Sequence, residues 1–437
     1  MSGMGMDALL ERTFESLEGK LGNIHNDDDL YAYITAVVKS IDPSADKQSI
    51  DEIVADAKTF SPIDQYLHSE SVEDIMINNT ENIFIYHSVD GEIKVPEKMA
   101  SAADLSKFVR KLKMYSTSSI ANNHIQDVHL PNGSRCNIVD SPLGQDITIR
   151  NFKPTAYSII DLINAGELSY NLASRFWLYS EGLGVRPANM LIGGMPGSGK
   201  TTVLNAMFSF FRPEARIVVL EETYEVNTST QENCVRLETS PYVTLQDLLR
   251  NSLRMRPDII LIGEVRGAEA NDMMTAMSIG KSVISTIHAH TSRDMINRLE
   301  QEPMRISRDA IPLIDVMSIV SQVNVDHKKA RKITQVSEIS GAETRVLLSD
   351  LYTYDYKTHK SSDILPSVTY RDALSKATGR TPTEIIAEEG RRAKVLEKLN
   401  KLGIRDLGGI NEFCRDYYDN QQRALAKLDL AELGTLD

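Results

Sequence analysis

One short stretch, GMPGSGKT at Gly194–Thr201, limits what this chain can fold into more than any other part of it. It follows an apolar run, Met190 to Ile192, and precedes a segment of helical character, Val203 to Met207. The pattern G-x-x-x-x-G-K-[ST] between a strand and a helix is that of a phosphate-binding loop. Glycines let backbone N–H groups close on phosphate oxygens, and the helix directs its positive end toward them. The stretch therefore predicts a nucleotide site in an α/β domain.

Individual residues of this loop have separate expected roles. Lys200 is expected to reach the β- and γ-phosphates, and the Thr201 hydroxyl to hold Mg²⁺. A glycine-rich turn with an incidental lysine is the alternative, but the strand and helix around the loop argue against it. The expected nucleotide-binding residues are Gly194, Pro196, Gly197, Ser198, Gly199, Lys200, Thr201 and Thr202.

Two further apolar runs end in acidic residues. RPDIILIGEVRG places Glu264 after Ile259–Ile262, and RIVVLEETYE places Glu221 and Glu222 after Ile217–Leu220, with Glu225 further away. Open parallel sheets bind ligands at the carboxyl ends of their strands, so these acids are expected near the phosphate loop. Glu264 is the first candidate for activating water or supporting the metal. An apolar run that ends in an acid at a helix N-cap is the alternative for any single one.

Histidine and arginine side chains add further candidates. In GKSVISTIHAH, His288 closes a fourth apolar run, from which it can sense the γ-phosphate or a neighbouring subunit; a purely structural histidine is the alternative. Phosphoryl transfer often uses an arginine finger, and a surface cation is the alternative at each position. The arginines considered are Arg254, Arg256, Arg266 and Arg298, with Arg135 and Arg150 in the upstream domain.

The order of helical and strand patterns along the chain predicts several structural regions. Residues 1–58 read as a helical region, 59–152 as a small α/β domain and 153–165 as a linker. Short, nearly continuous apolar strands alternate with helices over 166–350, which indicates a doubly wound α/β domain with a parallel sheet. Residues 351–437 are expected to be mostly helical. Five apolar residues of this tail are expected on one helix face: Ile385, Ile386, Val395, Leu396 and Leu399.

Composition excludes several classes of protein. The chain has 48 Lys and Arg against 61 Asp and Glu, a net charge of −13, so we expect no nucleic-acid partner. Its three cysteines lie far apart, which excludes a disulfide framework or a four-cysteine zinc site within one chain and fits a reducing cytoplasm. No apolar run approaches the ~20 residues that cross a bilayer. The expectation is a soluble cytoplasmic protein.

Taken in order, the phosphate loop, LEETYEV, LRMRPDIILIGEVRGAEA and STIHAH resemble the secretion ATPase superfamily. This superfamily drives type II secretion, type IV and Tad pili, type IV secretion and archaella. Upstream, EDIMINNTENIFIYH, LPNGSR and ITIRNF are similar to its amino-terminal domain, so the resemblance runs from about Val72 to Glu338. The tail from Gly390 resembles archaeal members.

The resemblance implies a fold and a set of site residues. It implies a RecA-like P-loop ATPase domain, preceded by a small PAS-like α/β domain, with helical extensions at both ends. Gly194–Thr201 would be the Walker A loop, Glu264 the Walker B glutamate, and His288 part of the histidine box. Glu221 and Glu222 would form the acidic box, where Glu222 would hold Mg²⁺ together with the loop threonine.

It also implies a function and partners. Members work as homohexamers on the cytoplasmic face of the membrane, where they use Mg²⁺ and ATP to move a polytopic platform protein. Arg135 and Arg150 match arginines that reach the nucleotide from the amino-terminal domain. The absence of a tetracysteine module and the loop GSGKTT favour a Tad-like pilus motor, for assembly or retraction of the filament.

Several alternatives remain at this point. A type IV secretion or archaellum motor fits the same motifs, and a nucleic-acid translocase fits the same core but not the acidic composition. Three departures from the usual family pattern, Pro196, Glu222 and Lys281, leave room for a nucleotide-binding scaffold that does not hydrolyse ATP. Measured turnover separates a motor from such a scaffold.

Overall fold

The chain divides into two compact units, Met1–Lys153 and Pro154–Asp437. The structure, a computed structural model, describes residues 5–435 except 23, 25, 89, 117–123, 153–155, 241, 326–327 and 342–344. The expected start of a linker at residue 153 lies outside the described residues. Within the described residues no helix is both long and apolar enough to span a membrane.

Helices open the first unit and cover its sheet. The side chains of Asn26 and Asp46 accept hydrogen bonds from backbone N–H groups in the first turn and cap the second and third helices. Leu17, Ile34 and Ile53 are fully buried in one core with the strands. The helices are α1 Met6–Leu17, α2 Asp27–Ile41, α3 Lys47–Lys58, α4 Asp64–Leu67 and α5 Ala102–Met114.

Six antiparallel strands form the sheet of the first unit. They are β1 Val72–Ile77, β2 Ile83–His87, β3 Gly91–Lys94, β4 Ile125–His129, β5 Arg135–Ser141 and β6 Gly144–Arg150. The sheet order is β3-β2-β1-β6-β5-β4, so β1 and β6 are the central strands. Their inward side chains, Ile75, Ile77, Ile147 and Ile149, are almost completely buried.

A nine-stranded sheet organises the second unit. Its strands are β7 Met190–Gly193, β8 Ile217–Glu221, β9 Cys234–Glu238, β10 Ile259–Ile262, β11 Ser282–Ile287, β12 Val316–Val325, β13 Lys328–Gly341, β14 Leu347–Asp355 and β15 Lys360–Asp363. The order is β15-β14-β13-β12-β7-β11-β10-β8-β9. Six neighbouring strands run parallel: β12, β7, β11, β10, β8 and β9. Beyond β12, the strands β13, β14 and β15 each pair antiparallel with the strand before them.

Both faces of the parallel strands are covered, as their continuous apolar sequences predict. Neighbouring residues alternate between two cores: Met190 and Ile192 belong to one, and Leu191 belongs to the other. The helices before the tail are α6 Ile159–Asn164, α7 Tyr170–Glu181, α8 Lys200–Met207, α9 Leu245–Ser252, α10 Glu269–Ser278 and α11 Ser292–Glu300, with short 3₁₀ segments at Gly182–Gly184, Phe208–Phe210 and Arg308–Leu313. This is the doubly wound α/β architecture expected from the strand pattern, and it agrees with the RecA-like fold that the resemblance implies.

The tail belongs to the same unit. It comprises α12 Thr369–Thr378, α13 Pro382–Lys401, α14 Leu407–Asp419, α15 Gln421–Lys427 and a 3₁₀ turn at Ala431–Leu433. Thr381 caps α13 with a capping box, and Pro382 occupies its first turn. Ile385, Val395, Leu396 and Leu399 are buried as expected, but the expectation for Ile386 is wrong. Ile386 lies in the first turns of α13, with half of its surface exposed.

Candidate nucleotide site

The sheet order gathers the sequence motifs of the second unit at one edge. β7, β11, β10 and β8 are consecutive parallel neighbours, so their carboxyl ends lie side by side. The phosphate loop follows β7, His288 follows β11, Glu264 follows β10, and Glu221 ends β8. The crevice outside the carboxyl ends of such strands is where open α/β sheets bind ligands.

The glycines of the loop are required by its backbone. Gly197 and Gly199 have φ angles of +73° and +102°, in the left-handed region that disfavours other residues. At Gly194 a Cβ atom would lie 2.3 Å from Ser198 Oγ and 2.5 Å from Val320 O, so no side chain fits there. Gly199 is the N-cap residue of α8, whose first N–H groups therefore belong to the loop.

Lys200 folds back over the loop. Its Nζ donates to Gly194 O at 3.0 Å and to Met195 O at 3.4 Å, and lies 3.2 Å from His288 Nδ1. The residue is only 8% exposed. A buried ammonium held on carbonyl oxygens beside α8 supplies positive charge at the point where the loop closes.

His288 joins this lysine to Glu264. Its Nδ1 lies 3.2 Å from Lys200 Nζ and 3.3 Å from the backbone oxygen of Gly194, and its Nε2 faces Glu264. That Nε2 lies 2.7 Å from Glu264 Oε1. Burial and the charge of Lys200 lower the pKa of His288, against the opposing effect of Glu264. The imidazole therefore favours its neutral form at neutral pH and lies between the lysine and the carboxylate.

Arg266 ties Glu264 to the acidic box. Its Nη2 lies 3.0 Å from Glu264 Oε2, and its Nη1 lies 3.1 Å from Glu222 Oε2. The hydrogen bond that Arg266 donates to Glu264 is a main cause that raises the pKa of Arg266. Arg298 donates from Nη1 to the backbone oxygen of His288 at 2.6 Å. Two of the considered arginines thus support the candidate catalytic groups directly.

The loop threonine contacts a different acid from the expected one. Thr201 Oγ1 donates to Glu225 Oε2 at 2.9 Å, whereas Glu222 pairs with Arg266. Sequence reasoning placed Glu225 further away and missed this contact, because the chain turns back after β8. Asn205 holds the turn from α8: its Nδ2 donates to Glu225 O at 3.0 Å, and its Oδ1 accepts from the N–H of Asn227 at 2.7 Å.

Glu221 is buried beneath this turn. The residue is 2% exposed, and its Oε1 accepts from the N–H groups of Glu225 at 2.8 Å and Val226 at 2.9 Å. Burial raises the pKa of Glu221 to about 7, although the two backbone hydrogen bonds and Arg236 act in the opposite direction. Through its two hydrogen bonds with the backbone, this carboxyl group holds the segment that carries Glu225 in place.

The donor set at Thr201 fits Mg²⁺. A hydroxyl and a carboxylate oxygen are hard oxygen ligands, and proteins hold Mg²⁺ through one or two such groups together with substrate phosphates. A Mg²⁺ site of this kind does not require a cluster of three or more side-chain ligands. Among the described residues there is no such cluster of acidic, histidine or cysteine side chains. Glu222, the residue expected at the metal, is an exposed partner of Arg266 in this structure.

The remaining expected residues occupy different surroundings. Pro196 and Gly197 are exposed at the tip of the loop, Ser198 is 2% exposed beneath it, and Thr202 lies half-buried in α8. Arg135 and Arg150 belong to the first unit, where they face each other in the register of β5 and β6. Arg135 Nη2 lies 3.3 Å from Asp127. Contact between these two arginines and a nucleotide remains a prediction.

Fold and site together define a RecA-like P-loop protein, and comparison with known proteins gives the family. The model of the family described as type II/IV secretion system protein matches residues 56–357. The chain belongs to this family.

Individual relatives agree with the assignment. The uncharacterized protein MJ0900 of Methanocaldococcus jannaschii is 30% identical over 366 residues, which cover 80% of this chain and 65% of that protein. The conjugal transfer protein TrbB of Rhizobium radiobacter is 34% identical over 158 residues, or 35% of this chain and 49% of TrbB. The chain thus spans less than two thirds of the length of these relatives.

A solved structure shares the fold. The X-ray structure of the Legionella pneumophila ATPase DotB aligns with a TM-score of 0.50 at 19% sequence identity. The alignment covers 77% of this chain and 88% of that one.

Proposed function

We propose that this protein is a Mg²⁺-dependent ATPase that acts as a motor of a secretion or pilus machine. The observation that carries the proposal is the contact chain from Lys200 through His288 to Glu264, beside a loop whose backbone requires glycine. Membership of the secretion family supports ATPase activity in general. Within this family we favour assembly or retraction of a Tad-like or type IV-like pilus.

Hydrolysis is proposed to proceed by in-line attack of water on the γ-phosphate. Glu264 positions the water and accepts its proton, since its carboxylate stands at the carboxyl end of β10 beside the phosphate loop. Lys200 exchanges its contacts with Gly194 O and His288 for phosphate oxygens and takes up their charge. His288 then loses its lysine partner, which makes it a residue that senses the γ-phosphate.

The metal is proposed to lie at Thr201. Thr201 and Glu225 would hold Mg²⁺, which neutralises phosphate charge when it is bound. Glu221 fixes the two N–H groups that follow Tyr224 and so sets where the Glu225 carboxylate stands. Glu264 and Glu222 both pair with Arg266 and are therefore not the proposed metal ligands.

Mechanical coupling is proposed to involve the first unit and neighbouring copies of the chain. Arg135 and Arg150 would contact the nucleotide and transmit loss of the γ-phosphate to their domain. A homohexamer at the cytoplasmic face of the membrane, docked on a polytopic platform protein, would turn this movement into work. These proposals rest on the resemblance of the motifs to the secretion ATPases.

Steady-state ATP hydrolysis by the purified wild type, with and without Mg²⁺, tests the proposal. Light scattering on the same sample gives the assembly state. We expect hydrolysis that requires Mg²⁺ and a particle with the mass of a hexamer. A hexamer that binds ATP without turnover would support a nucleotide-binding scaffold, and Lys200→Ala, which should lose ATP binding, controls for contaminating ATPases.

A further inference from the structure

Arg331 lies against the phosphate loop from a strand that carries none of the motifs. A Cβ atom placed on Gly199 would lie 3.2 Å from Arg331 Cδ and 3.8 Å from its Nε. The same Cβ would lie 3.8 Å from Val320 Cγ1. Arg331 is on β13 and Val320 on β12, so the hairpin of these two strands forms one wall beside the loop.

The sheet order places this wall opposite the candidate catalytic groups. β7, which leads into the loop, has β11 on one side and β12 on the other. His288 and Glu264 follow β11 and β10 and define the side on which the γ-phosphate is expected. A nucleotide with its γ-phosphate on that side extends its α-phosphate and nucleoside toward β12 and β13, because the loop holds the phosphate chain between the two ends.

Positive charge is concentrated at the start of β13. β13 begins with the sequence KKARK, which puts Lys328, Lys329, Arg331 and Lys332 together in a chain whose net charge is −13. Glu167, which is 8% exposed, is the nearby acid. Burial raises the pKa of Glu167, and the charges of Arg331 and Lys332 oppose that rise. Arg331 therefore lies beside the phosphate loop and close enough to Glu167 to affect its pKa.

We propose that Arg331 binds the nucleotide from the nucleoside side of the loop, with its guanidinium on the α-phosphate. This inference rests on the proposed nucleotide site and adds a residue that none of the loop, acidic or histidine motifs contains. Guanidinium groups bind phosphate oxygens through paired, charge-assisted hydrogen bonds, and Arg331 lies beside Gly199, the N-cap residue of α8. A contact with the α-phosphate is made equally by ATP and ADP.

Equilibrium binding of ADP and of a non-hydrolysable ATP analogue in the presence of Mg²⁺ tests the proposal, because it is independent of turnover. Titration calorimetry on the full chain compares the wild type with Arg331→Gln and Arg331→Lys. The matched control is Lys328→Gln, which removes one exposed positive charge from the same strand. We expect Arg331→Gln to raise Kd about tenfold for both nucleotides, as the loss of one charge-assisted contact implies, with kcat changed less than about twofold. Arg331→Lys should recover part of the affinity.

Three results would overturn the proposal. Unchanged Kd values for Arg331→Gln would remove Arg331 from the site, and weakened binding of the ATP analogue with normal ADP binding would place it at the γ-phosphate instead. A large drop in the melting temperature of the nucleotide-free variant, reproduced by Glu167→Gln, would make Arg331 a structural partner of Glu167. Wild-type protein that binds nucleotide without hydrolysing it would contradict the proposed motor, while the Kd comparison would still decide the role of Arg331.

Discussion

At the scale of single residues, the glutamates of the site differ in their environments. Glu264 is held by His288 and Arg266, Glu225 meets the hydroxyl of Thr201, and Glu221 is buried on backbone N–H groups. The three carboxylates therefore have three different partners, although they lie at one edge of the sheet. Each environment predicts a different response to the same change from glutamate to glutamine.

Glu225 is expected to control the requirement for metal. Glu225→Gln removes the charged oxygen at Thr201 and should raise the Mg²⁺ concentration for half-maximal turnover by roughly tenfold. Glu222→Gln, three positions away, should change it much less because Glu222 is engaged by Arg266. Mg²⁺ titrations of ATPase activity check this. A larger effect at Glu222 would restore the assignment made from the sequence.

Glu221 is expected to act by position. Glu221→Gln keeps an oxygen that accepts from the N–H groups of Glu225 and Val226, so kcat should fall less than about threefold. Glu221→Leu leaves both buried N–H groups without a partner, at a cost of about 1–3 kcal/mol each. It should displace the segment that carries Glu225 and abolish turnover. Loss of activity in the glutamine variant equal to that of the leucine variant would instead indicate chemistry at Glu221.

The sequence predicted where the loop and Glu264 lie, because each belongs to a pattern of contiguous residues. A strand that ends in acid and a loop with fixed glycines need no knowledge of distant contacts. The contact between Thr201 and Glu225 spans a turn after β8 whose path depends on Glu221 and Asn205, and no local pattern encodes it. The position of Arg331 beside the loop was not predicted for the same reason, since it depends on the pairing of β12 with β7 and of β13 with β12.

Among elements, α13 carries the least expected feature, a buried cluster of charges. Glu388 accepts from Arg392 Nε at 2.8 Å and Tyr417 OH at 2.9 Å and pairs also with Arg391. Arg392 in turn pairs with Glu181 at the end of α7. The helical pattern of the tail indicated an apolar face, but it gave no sign that these acids and arginines are buried together.

Trp177 reports on this cluster. It is the single tryptophan of the chain, it is fully buried, and Arg392 lies over its ring at 5.0 Å. Phe210 stacks on it with ring centroids 5.2 Å apart. Its fluorescence should therefore follow unfolding of α7 and α13 without any added label.

The cluster predicts a pH-dependent stability. Burial alone would raise the pKa of Glu388, but Arg392 and Arg391 outweigh it and hold the pKa below its usual value. A lowered carboxyl pKa stabilises the fold above the unfolded pKa of 4.5 and loses that contribution as pH falls through the folded pKa. Glu388→Gln leaves buried arginine charges, so it should cost about 3–5 kcal/mol at neutral pH and much less at an acidic pH below the lowered pKa of Glu388.

Urea unfolding followed by Trp177 fluorescence at both pH values measures this difference. The control is Glu397→Gln on the exposed part of the same helix, where Glu397 pairs with Lys401. That variant should change the free energy of unfolding by less than about 1 kcal/mol. An equal cost for Glu388→Gln at both pH values would contradict the assignment of an ionised Glu388.

For the whole molecule, the tail completes the core of the second unit. Tyr370, Leu374, Val395, Leu396 and Ile410 belong to the same buried cluster as Met190 and Ile192 of the central strand. The sequence predicted four strands of this unit, β7, β8, β10 and β11, near their observed positions, because each is a short apolar run. It did not predict that the tail packs on them, since an amphipathic pattern shows a buried face but not its partner.

Removal of residues 369–437 should therefore unfold the second unit. Each large apolar side chain contributes about 1.5–3 kcal/mol of burial, and the lost total exceeds the ~5–15 kcal/mol that stabilises a typical domain. Removal of residues 434–437 should have no such effect. Soluble yield and the emission wavelength of Trp177 distinguish the two truncations. A soluble 1–368 chain with a buried Trp177 would contradict this account.

The central claim is that Glu264 serves the hydrolysis of ATP held by the phosphate loop. ATP binding and hydrolysis, measured side by side for the wild type and Glu264→Gln at matched assembly state, test it most directly. The account predicts that the variant binds ATP within about threefold of the wild-type affinity and loses at least roughly a hundredfold in turnover. Turnover that survives in Glu264→Gln would contradict it.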